Sequence, residues 1–118
     1  MGMTDVKLQI RSLRNPKKKV TDKFLVDSGA FYTVLPQKIV KQLNVQPDHE
    51  QEFSLADGTS IKRKIGSAFI KFQDKEMASP VILGEKNDTA LMGTLTLEAF
   101  GLILDPFKRK LYKAILRM

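Results

Sequence analysis

The sequence of 118 residues has no cysteine and a single histidine, His49. Without cysteine there are no disulfides, no metal sites built on thiolates and no cysteine nucleophile. One histidine leaves little room for a site of imidazole ligands, and a Ser-His hydrolase would have to use His49. His49 lies in a polar segment with Pro47 and Glu50, where a solvated side chain is expected. The composition therefore predicts no metal site.

Long apolar runs are also missing: no stretch approaches the roughly 18 residues of a membrane-spanning helix. The N-terminal residues Met1 to Asp5 lack the basic and apolar regions of a signal peptide. The length suits one domain, residues 1–118. We therefore expect a single-domain, soluble cytoplasmic protein with no membrane partner.

Positive charge is in excess, because 20 Lys and Arg face 13 Asp and Glu and give a net charge of +7. Nucleic-acid binding is one interpretation of this excess. The favoured interpretation is that the basic residues decorate turns and exposed strands, where lysine blocks edge pairing. We therefore do not expect a nucleic-acid partner, since no aromatic-rich strand motif accompanies the basic clusters. The three clusters are 17–19, 62–64 and 108–110.

Short alternating segments bounded by turn residues dominate the chain and predict strands. Two short helices are predicted, one from Pro36 to about Leu43 and one over 95–100, with Thr94 as its cap. Turn signals every 8 to 12 residues indicate an all-β barrel or sandwich. The predicted strands are 6–11, 20–26, 33–35, 53–55, 60–65, 68–72, 80–83, 102–104 and 111–116, with a further buried stretch ending at 91–93.

The most informative segment is an apolar strand, 24–26, that delivers Asp27 into a turn containing Ser28 and Gly29. A carboxylate after three apolar residues suits proton transfer, and glycine lets a backbone approach a ligand closely. An Asp-Ser-Gly turn at a strand end is also common in β proteins. This short string alone leaves both interpretations open.

The longer pattern resembles the retropepsin-like aspartic proteases of the bacterial and archaeal type, the single-lobe relatives of the pepsins. Leu-Val-Asp-Ser-Gly-Ala at 25–30, with Thr-Val-Leu at 33–35, resembles the family's catalytic loop and the following strand. Ala-Asp-Gly-Thr at 56–59 falls where the family carries its flap hairpin. Ala-Leu-Met-Gly at 90–93 resembles its second signature, a loop that opens a short helix. The resemblance covers roughly residues 6–116.

The resemblance implies a small retropepsin-like acid-protease β-barrel with two short helices, active as a symmetric homodimer. The family's chemistry needs two carboxylates that share one proton. Asp57 and Asp105 lie outside an Asp-Ser/Thr-Gly context, so the second catalytic carboxylate is expected to be Asp27 of a second copy. The terminal strands of the family commonly interleave in the dimer, which places 111–118 there, with the first strand as a further candidate.

The resemblance also assigns the site residues. Asp27 is the catalytic residue, and Ser28 and Gly29 support the catalytic loop. Many members have threonine where this chain has Ser28, but serine keeps the hydroxyl. Water is the nucleophile, so no metal or organic cofactor is implied. The residues expected to bind a peptide or protein substrate are Ala30, Ala56, Asp57, Gly58 and Thr59.

Two other functions remain open on the sequence. One is a non-catalytic dimeric module of the same fold that binds peptides in its cleft. The other, less favoured, is a small basic β-barrel that binds RNA. A Ser-His hydrolase built on His49 is the weakest alternative.

Overall fold

A computed structural model describes residues 4–105, 107–115 and 117. Within these residues the chain forms nine strands and two short helices, which confirms the all-β prediction. The strands are β1 (Thr4–Arg11), β2 (Lys19–Val26), β3 (Thr33–Leu35), β4 (Pro47–Ser54), β5 (Ser60–Phe72), β6 (Lys75–Leu83), β7 (Leu91–Met92), β8 (Leu102–Asp105) and β9 (Lys110–Lys113). The helices are α1 (Gln37–Leu43) and α2 (Thr94–Ala99).

Six strands close into a barrel in the order β1-β2-β7-β3-β6-β5, because β1 also pairs with β5. The closing seam brings Gln9 opposite Lys71 and Ile10 opposite Ile70. Closure removes the free edges that an open sheet would expose. Strand β5, the last strand of the ring, also pairs with β4 through its residues 60–66. Strand β4 therefore lies outside the ring.

The barrel interior is filled by apolar side chains that alternate along the strands. Leu8 and Ile10 of β1 and Phe24 of β2 have no exposed surface. Helices α1 and α2 add Ile39, Leu43 and Leu97 to the same core, through apolar residues on one face of each helix. Full burial of one such side chain contributes roughly 1.5–3 kcal/mol, so this core is the main source of stability.

The β4–β5 hairpin, with its turn at 55–59, is longer than the sequence predicts. The polar segment 47–50, expected as a loop, forms the first half of β4. The charged residues of β4 are compatible with a strand because they lie on its exposed face, where Glu50 is opposite Lys64 and Glu52 is opposite Lys62.

The two strands predicted at 60–65 and 68–72 form one strand, β5, that continues through the buried Gly66. An added Cβ at Gly66 would lie 2.7 Å from the carbonyl oxygen of Gln46, so only glycine fits.

Strands β8 and β9 form a separate two-stranded sheet, here called the terminal hairpin. Its Leu102, Leu104 and Leu111 pack against the core. On the opposite face, Ile103 lies directly across from Tyr112, and both side chains are exposed. The predicted last strand, 111–116, ends in this structure at Lys113. Leu116 and Met118 of the expected interface segment lie outside the described residues.

Across the described ranges, no helix combines the length and the apolar character that crossing a bilayer requires.

Candidate active site

Asp27 follows directly on β2, and its position is fixed by the neighbouring strand β7. Strands β2 and β7 run parallel, with Val26 opposite Met92. The backbone N–H of Asp27 donates to the carbonyl oxygen of Met92 at 3.1 Å. Asp27 is half-buried, so a barrel strand delivers a carboxylate to the border between core and solvent.

The turn after β2 holds the Asp27 carboxylate through a backbone hydrogen bond. The N–H of Gly29 donates to Oδ1 of Asp27 at 2.8 Å, and the N–H of Ala30 donates to the Asp27 carbonyl oxygen at 3.1 Å. An added Cβ at Gly29 would lie 3.2 Å from the same Oδ1. No hydrogen bond from another described residue reaches Oδ2. One carboxylate oxygen is therefore fixed by the loop, while the other remains open to a substrate, a water molecule or a second protein chain.

Residues 93–95 brace the catalytic loop from the other side. The N–H groups of Thr94 and Leu95 donate to the carbonyl oxygens of Ala30 and Phe31 at 2.8 Å and 2.9 Å. Gly93 makes this approach possible, since an added Cβ would lie 2.5 Å from the Tyr32 carbonyl carbon.

The helix after this brace begins one residue earlier than predicted. Gly93 is its N-cap, Thr94 is its first residue, and no side-chain cap forms. The expectation that Thr94 caps the helix is therefore wrong, because the required extended backbone falls on the glycine.

Three buried hydroxyls lie beneath the loop and connect it to α2. The hydroxyls of Thr33 and Thr96 are 2.6 Å apart, and Ser79 lies 3.4 Å from Thr96. The N–H of Gly93 donates to the Thr33 hydroxyl at 3.1 Å. Every buried side-chain polar atom that the structure describes has a partner. The sequence does not reveal this network, because nothing in the local pattern indicates that two threonines 63 positions apart are in contact.

Ser28, the predicted supporting residue, has an exposed side chain. It makes no side-chain hydrogen bond to the described residues of its own chain. In the described chain, the loop is held by Gly29 and by the 93–95 segment instead. Support from Ser28 would require a partner outside this chain.

The turn of the β4–β5 hairpin contains the other predicted substrate residues. The Asp57 Oδ1 accepts hydrogen bonds from the Thr59 hydroxyl at 2.6 Å and from the Thr59 N–H at 3.0 Å. The hydrogen bond from the Thr59 hydroxyl, and to a smaller extent that from its N–H, lowers the pKa of Asp57 below its ordinary value. Gly58 adopts φ of +87°, a left-handed conformation that favours glycine. Asp57 is thus occupied in shaping an exposed turn.

A cleft of about 470 Å³ begins at Gly29 and runs between the catalytic loop and the β4–β5 hairpin. Tyr32 from the loop side and Phe53 from the hairpin meet edge to face, with ring centroids 5.9 Å apart. Ala30 lines the cleft, whereas the turn residues 56–59 do not contribute to its wall. The lining consists of Gly29, Ala30, Phe31, Tyr32, Val34, Phe53, Ser54, Leu55, Ile61, Arg63, Ile82, Asn87, Asp88, Thr89 and Leu91.

The remaining candidate for a second acidic residue has another role. Asp105 accepts hydrogen bonds from the N–H groups of Phe107 and Lys108 at 2.9 Å and 3.1 Å, and so shapes the turn of the terminal hairpin. For the ranges 4–105, 107–115 and 117, no three acidic or histidine side chains converge on a possible metal position. Asp27 is therefore the single described carboxylate in an Asp-Ser-Gly loop, and the Gly29 of that loop lines the cleft.

Comparison with solved structures identifies the same fold in a retropepsin-like aspartic protease from Rickettsia conorii. The two proteins are 24% identical, the alignment covers 93% of this chain and 88% of the other, and the TM-score is 0.51. No curated protein matches the sequence. A family described as "gag-polyprotein putative aspartyl protease" matches residues 17–99, from the turn before β2 to the end of α2. That segment contains Asp27, the β4–β5 hairpin and the Gly93 brace, and the chain belongs to this family of retropepsin-like aspartic proteases.

Proposed function

We propose that this chain is an aspartic endopeptidase that works as a homodimer, with Asp27 of each subunit in one shared active site. The observation that carries the proposal is the geometry of Asp27. One carboxylate oxygen is bound by the amide of Gly29, which itself lines the cleft, and the other has no hydrogen bond from the described residues. The chain supplies this motif once, and a two-fold axis through the site would supply the second copy.

The proposed chemistry follows from two carboxylates that share one proton. Two like charges at close range do not both ionise, so one Asp27 is ionised while the other is protonated. The ionised carboxylate takes a proton from water as the water oxygen attacks the peptide carbonyl. The protonated carboxyl donates to the carbonyl oxygen, which gives a tetrahedral diol. Its collapse, with a proton passed to the amide nitrogen, breaks the C–N bond.

The remaining site residues position this chemistry. Gly29 and the 93–95 brace fix the orientation of Asp27, and Ser28 is exposed where a partner's loop can accept its hydroxyl. An extended substrate would lie in the cleft past Ala30 and pair through its main chain like an added strand. The exposed turn at 56–59 acts as a flap that covers the substrate.

Support for a dimer comes from the terminal hairpin. Its outer face presents Ile103 at 56% exposure and Tyr112 at 40%, which lie directly opposite each other, and Phe107 and Ile115 are further exposed apolar residues in this part of the chain. Exposed aliphatic and aromatic side chains that are contiguous on one face are typical of interfaces. A second copy that packs on this face would remove these apolar side chains from water.

The decisive experiment is incubation of the purified protein with a diverse peptide mixture, with and without pepstatin, followed by mass spectrometry of the new termini. Wild-type protein is expected to cleave, and the Asp27→Asn variant is expected to be inactive with unchanged stability. The substitution is close to isosteric, so thermal unfolding serves as its control. Cleavage by Asp27→Asn at the wild-type rate would exclude the shared dyad.

The same peptide mixture distinguishes a peptidase from a non-catalytic peptide-binding module, and a separate binding assay with mixed RNA tests the third possibility. A non-catalytic module would retain peptides without generating new termini. An RNA-binding barrel would bind mixed RNA with an affinity that falls steeply with salt. The structure offers that alternative little support, since Lys62 and Lys64 of the central basic cluster lie opposite Glu52 and Glu50.

A further inference from the structure

Arg63 is the one charged side chain in an otherwise apolar row of β5. Alternation along the strand puts Lys62 and Lys64 on the exposed face, and Ile61, Arg63 and Ile65 on the opposite face. The Arg63 side chain is only 17% exposed. A cation in such a position is costly unless it is paired and hydrogen-bonded.

The partner of Arg63 is Asp88, in the 84–90 loop between β6 and β7. The guanidinium binds the carboxylate in a two-pronged arrangement, with Nε to Oδ2 at 2.6 Å and Nη2 to Oδ1 at 3.1 Å. Nη1 donates to the Lys62 carbonyl oxygen at 2.8 Å and lies 3.7 Å from the Glu85 carboxylate. This fork geometry is the most directional ion pair that proteins form, so it fixes both position and orientation.

The same carboxylate also organises the 84–90 loop itself. Oδ2 of Asp88 accepts the Glu85 N–H at 2.7 Å, and the Asp88 N–H donates back to the Glu85 carbonyl oxygen at 2.9 Å. The Arg63 hydrogen bond lowers the pKa of Asp88 below its ordinary value. The Asp88 carboxylate therefore stays charged to lower pH than an aspartate without this partner.

The location of this pair is what gives it a role beyond stability. Arg63 and Asp88 both line the cleft, one from the hairpin and one from the loop that leads into β7. Of the ion pairs that the described residues form, those of Arg63 alone join these two walls. The tie therefore joins the hairpin to the 84–90 loop at a cleft whose lining also includes Val34, Ile82 and Leu91.

We propose that Arg63 is a specificity-determining positioning residue, whose tie to Asp88 fixes the width of the cleft and limits the size of the substrate side chain accepted there. The inference rests on the proposed peptidase function and adds the preferred substrate class. The Arg63 charge is already matched by Asp88, and most of the remaining lining is apolar or aromatic. The subsite therefore takes an uncharged aliphatic or aromatic side chain of restricted size and discriminates against larger ones.

The test compares Arg63→Gln, Asp88→Asn and the milder Arg63→Lys, which keeps the charge but loses the fork. One substituted methylene in an apolar pocket typically changes kcat/KM by 10- to 200-fold. We expect the variants to lose about tenfold of the discrimination between side chains that differ by one or two carbons. The double variant should lose no more than either single variant, because both changes remove the same tie.

A second ion pair provides the matched control. Arg11 and Glu76 form the same two-pronged contact on the outer barrel surface, at 3.1 Å and 2.8 Å, with similar exposure. Arg11→Gln and Glu76→Gln are expected to leave the size preference of the cleft unchanged. A change in preference as large as that of Arg63→Gln would overturn the assignment, because it would mean that any lost ion pair alters specificity.

Hydrogen exchange separates failure of this inference from failure of the proposed function. In Arg63→Gln, the backbone amides of residues 53–61 should exchange at least several-fold faster than in the wild type, whether or not the protein cleaves peptides. Unchanged exchange in all three variants, or an unchanged size profile in an active enzyme, would overturn the inference. Absence of cleavage by the wild type would overturn the proposed function, while the exchange rates would still decide whether the tie positions the hairpin.

Discussion

Thr33 and Thr96 share a hydrogen bond of 2.6 Å between two fully buried hydroxyls. Thr33 belongs to β3, which follows the catalytic loop, and Thr96 belongs to α2, which follows the Gly93 brace. The contact therefore connects the two sequence signatures of the active site from underneath. Since the Thr33 hydroxyl also accepts the Gly93 amide, one side chain serves both segments.

Replacing Thr33 with valine should destabilise the protein by about 1–3 kcal/mol, since the Gly93 amide loses its acceptor and Thr96 loses its short partner. Chemical denaturation measures the change. Thr21→Val on the exposed face of β2 is the control, with an expected change under about 0.5 kcal/mol. Equal effects of the two substitutions would show that the hydroxyl contact is not specific.

Gly93→Ala should cost about 2–3 kcal/mol, because the added methyl group meets the Tyr32 backbone at 2.5 Å and the catalytic loop has to move. Peptidase activity should fall with it. Gly101→Ala is the comparison, since only its φ of +70° is unfavourable and its Cβ has nothing closer than 3.8 Å. That variant should lose only about 1 kcal/mol. Thermal unfolding of both variants gives the difference.

Ile103→Asp should weaken self-association, because it places a charge on the exposed apolar face of the terminal hairpin. Its specific activity should fall at protein concentrations where the wild type is still fully active. Analytical ultracentrifugation reports the association, and covalent tethering of two copies should restore the rate. Leu13→Asp, at an exposed apolar position in the β1–β2 turn, is the control. If both variants associate like the wild type, the interface lies elsewhere.

The stabilising effect of the Arg63–Asp88 pair should disappear in strong acid. The pKa of Asp88 is lowered in the folded protein by Arg63, so the pair contributes fully above the ordinary aspartate value and is lost as pH falls through the lowered one. Asp88→Asn should therefore be less stable than the wild type at neutral pH and equally stable at the acid end. Urea unfolding from pH 7 to pH 2 tests this, and a constant difference would contradict it.

Local patterns predicted much of the fold and the centre of the site. The alternation along β1 and the apolar end of β2 lie within a few neighbouring residues, and so does the Asp27 turn. By contrast, the sequence predicts a strand only at 53–55, whereas β4 begins at Pro47, because its charged residues do not resemble a strand until their partners on β5 are known. The pairing of β4 with β5, which the sequence does not show, determines where β4 begins.

The role of Arg63 was missed for a different reason. Composition alone makes 62–64 one basic cluster. Alternation along the strand, however, places its middle residue, Arg63, on the inner face with Ile61 and Ile65. That signal was present in the sequence. The identity of its partner was not, since Asp88 is 25 positions away in a loop whose course depends on the folded barrel.

The seam between β1 and β5 also has a consequence for how the chain reaches its native state. Half of the strand pairs join consecutive strands through turns, whereas β1–β5, β2–β7, β3–β6 and β3–β7 join strands that are distant in the chain. Gln9 and Lys71 of the seam, for example, are separated by about 60 residues. Such pairing has to offset a large loss of chain entropy before its contacts form, which places β-barrels among proteins that fold in milliseconds to seconds. Until the seam closes, the unpaired edges of β1 and β5 are available to other chains, so the open barrel is the stage most exposed to aggregation.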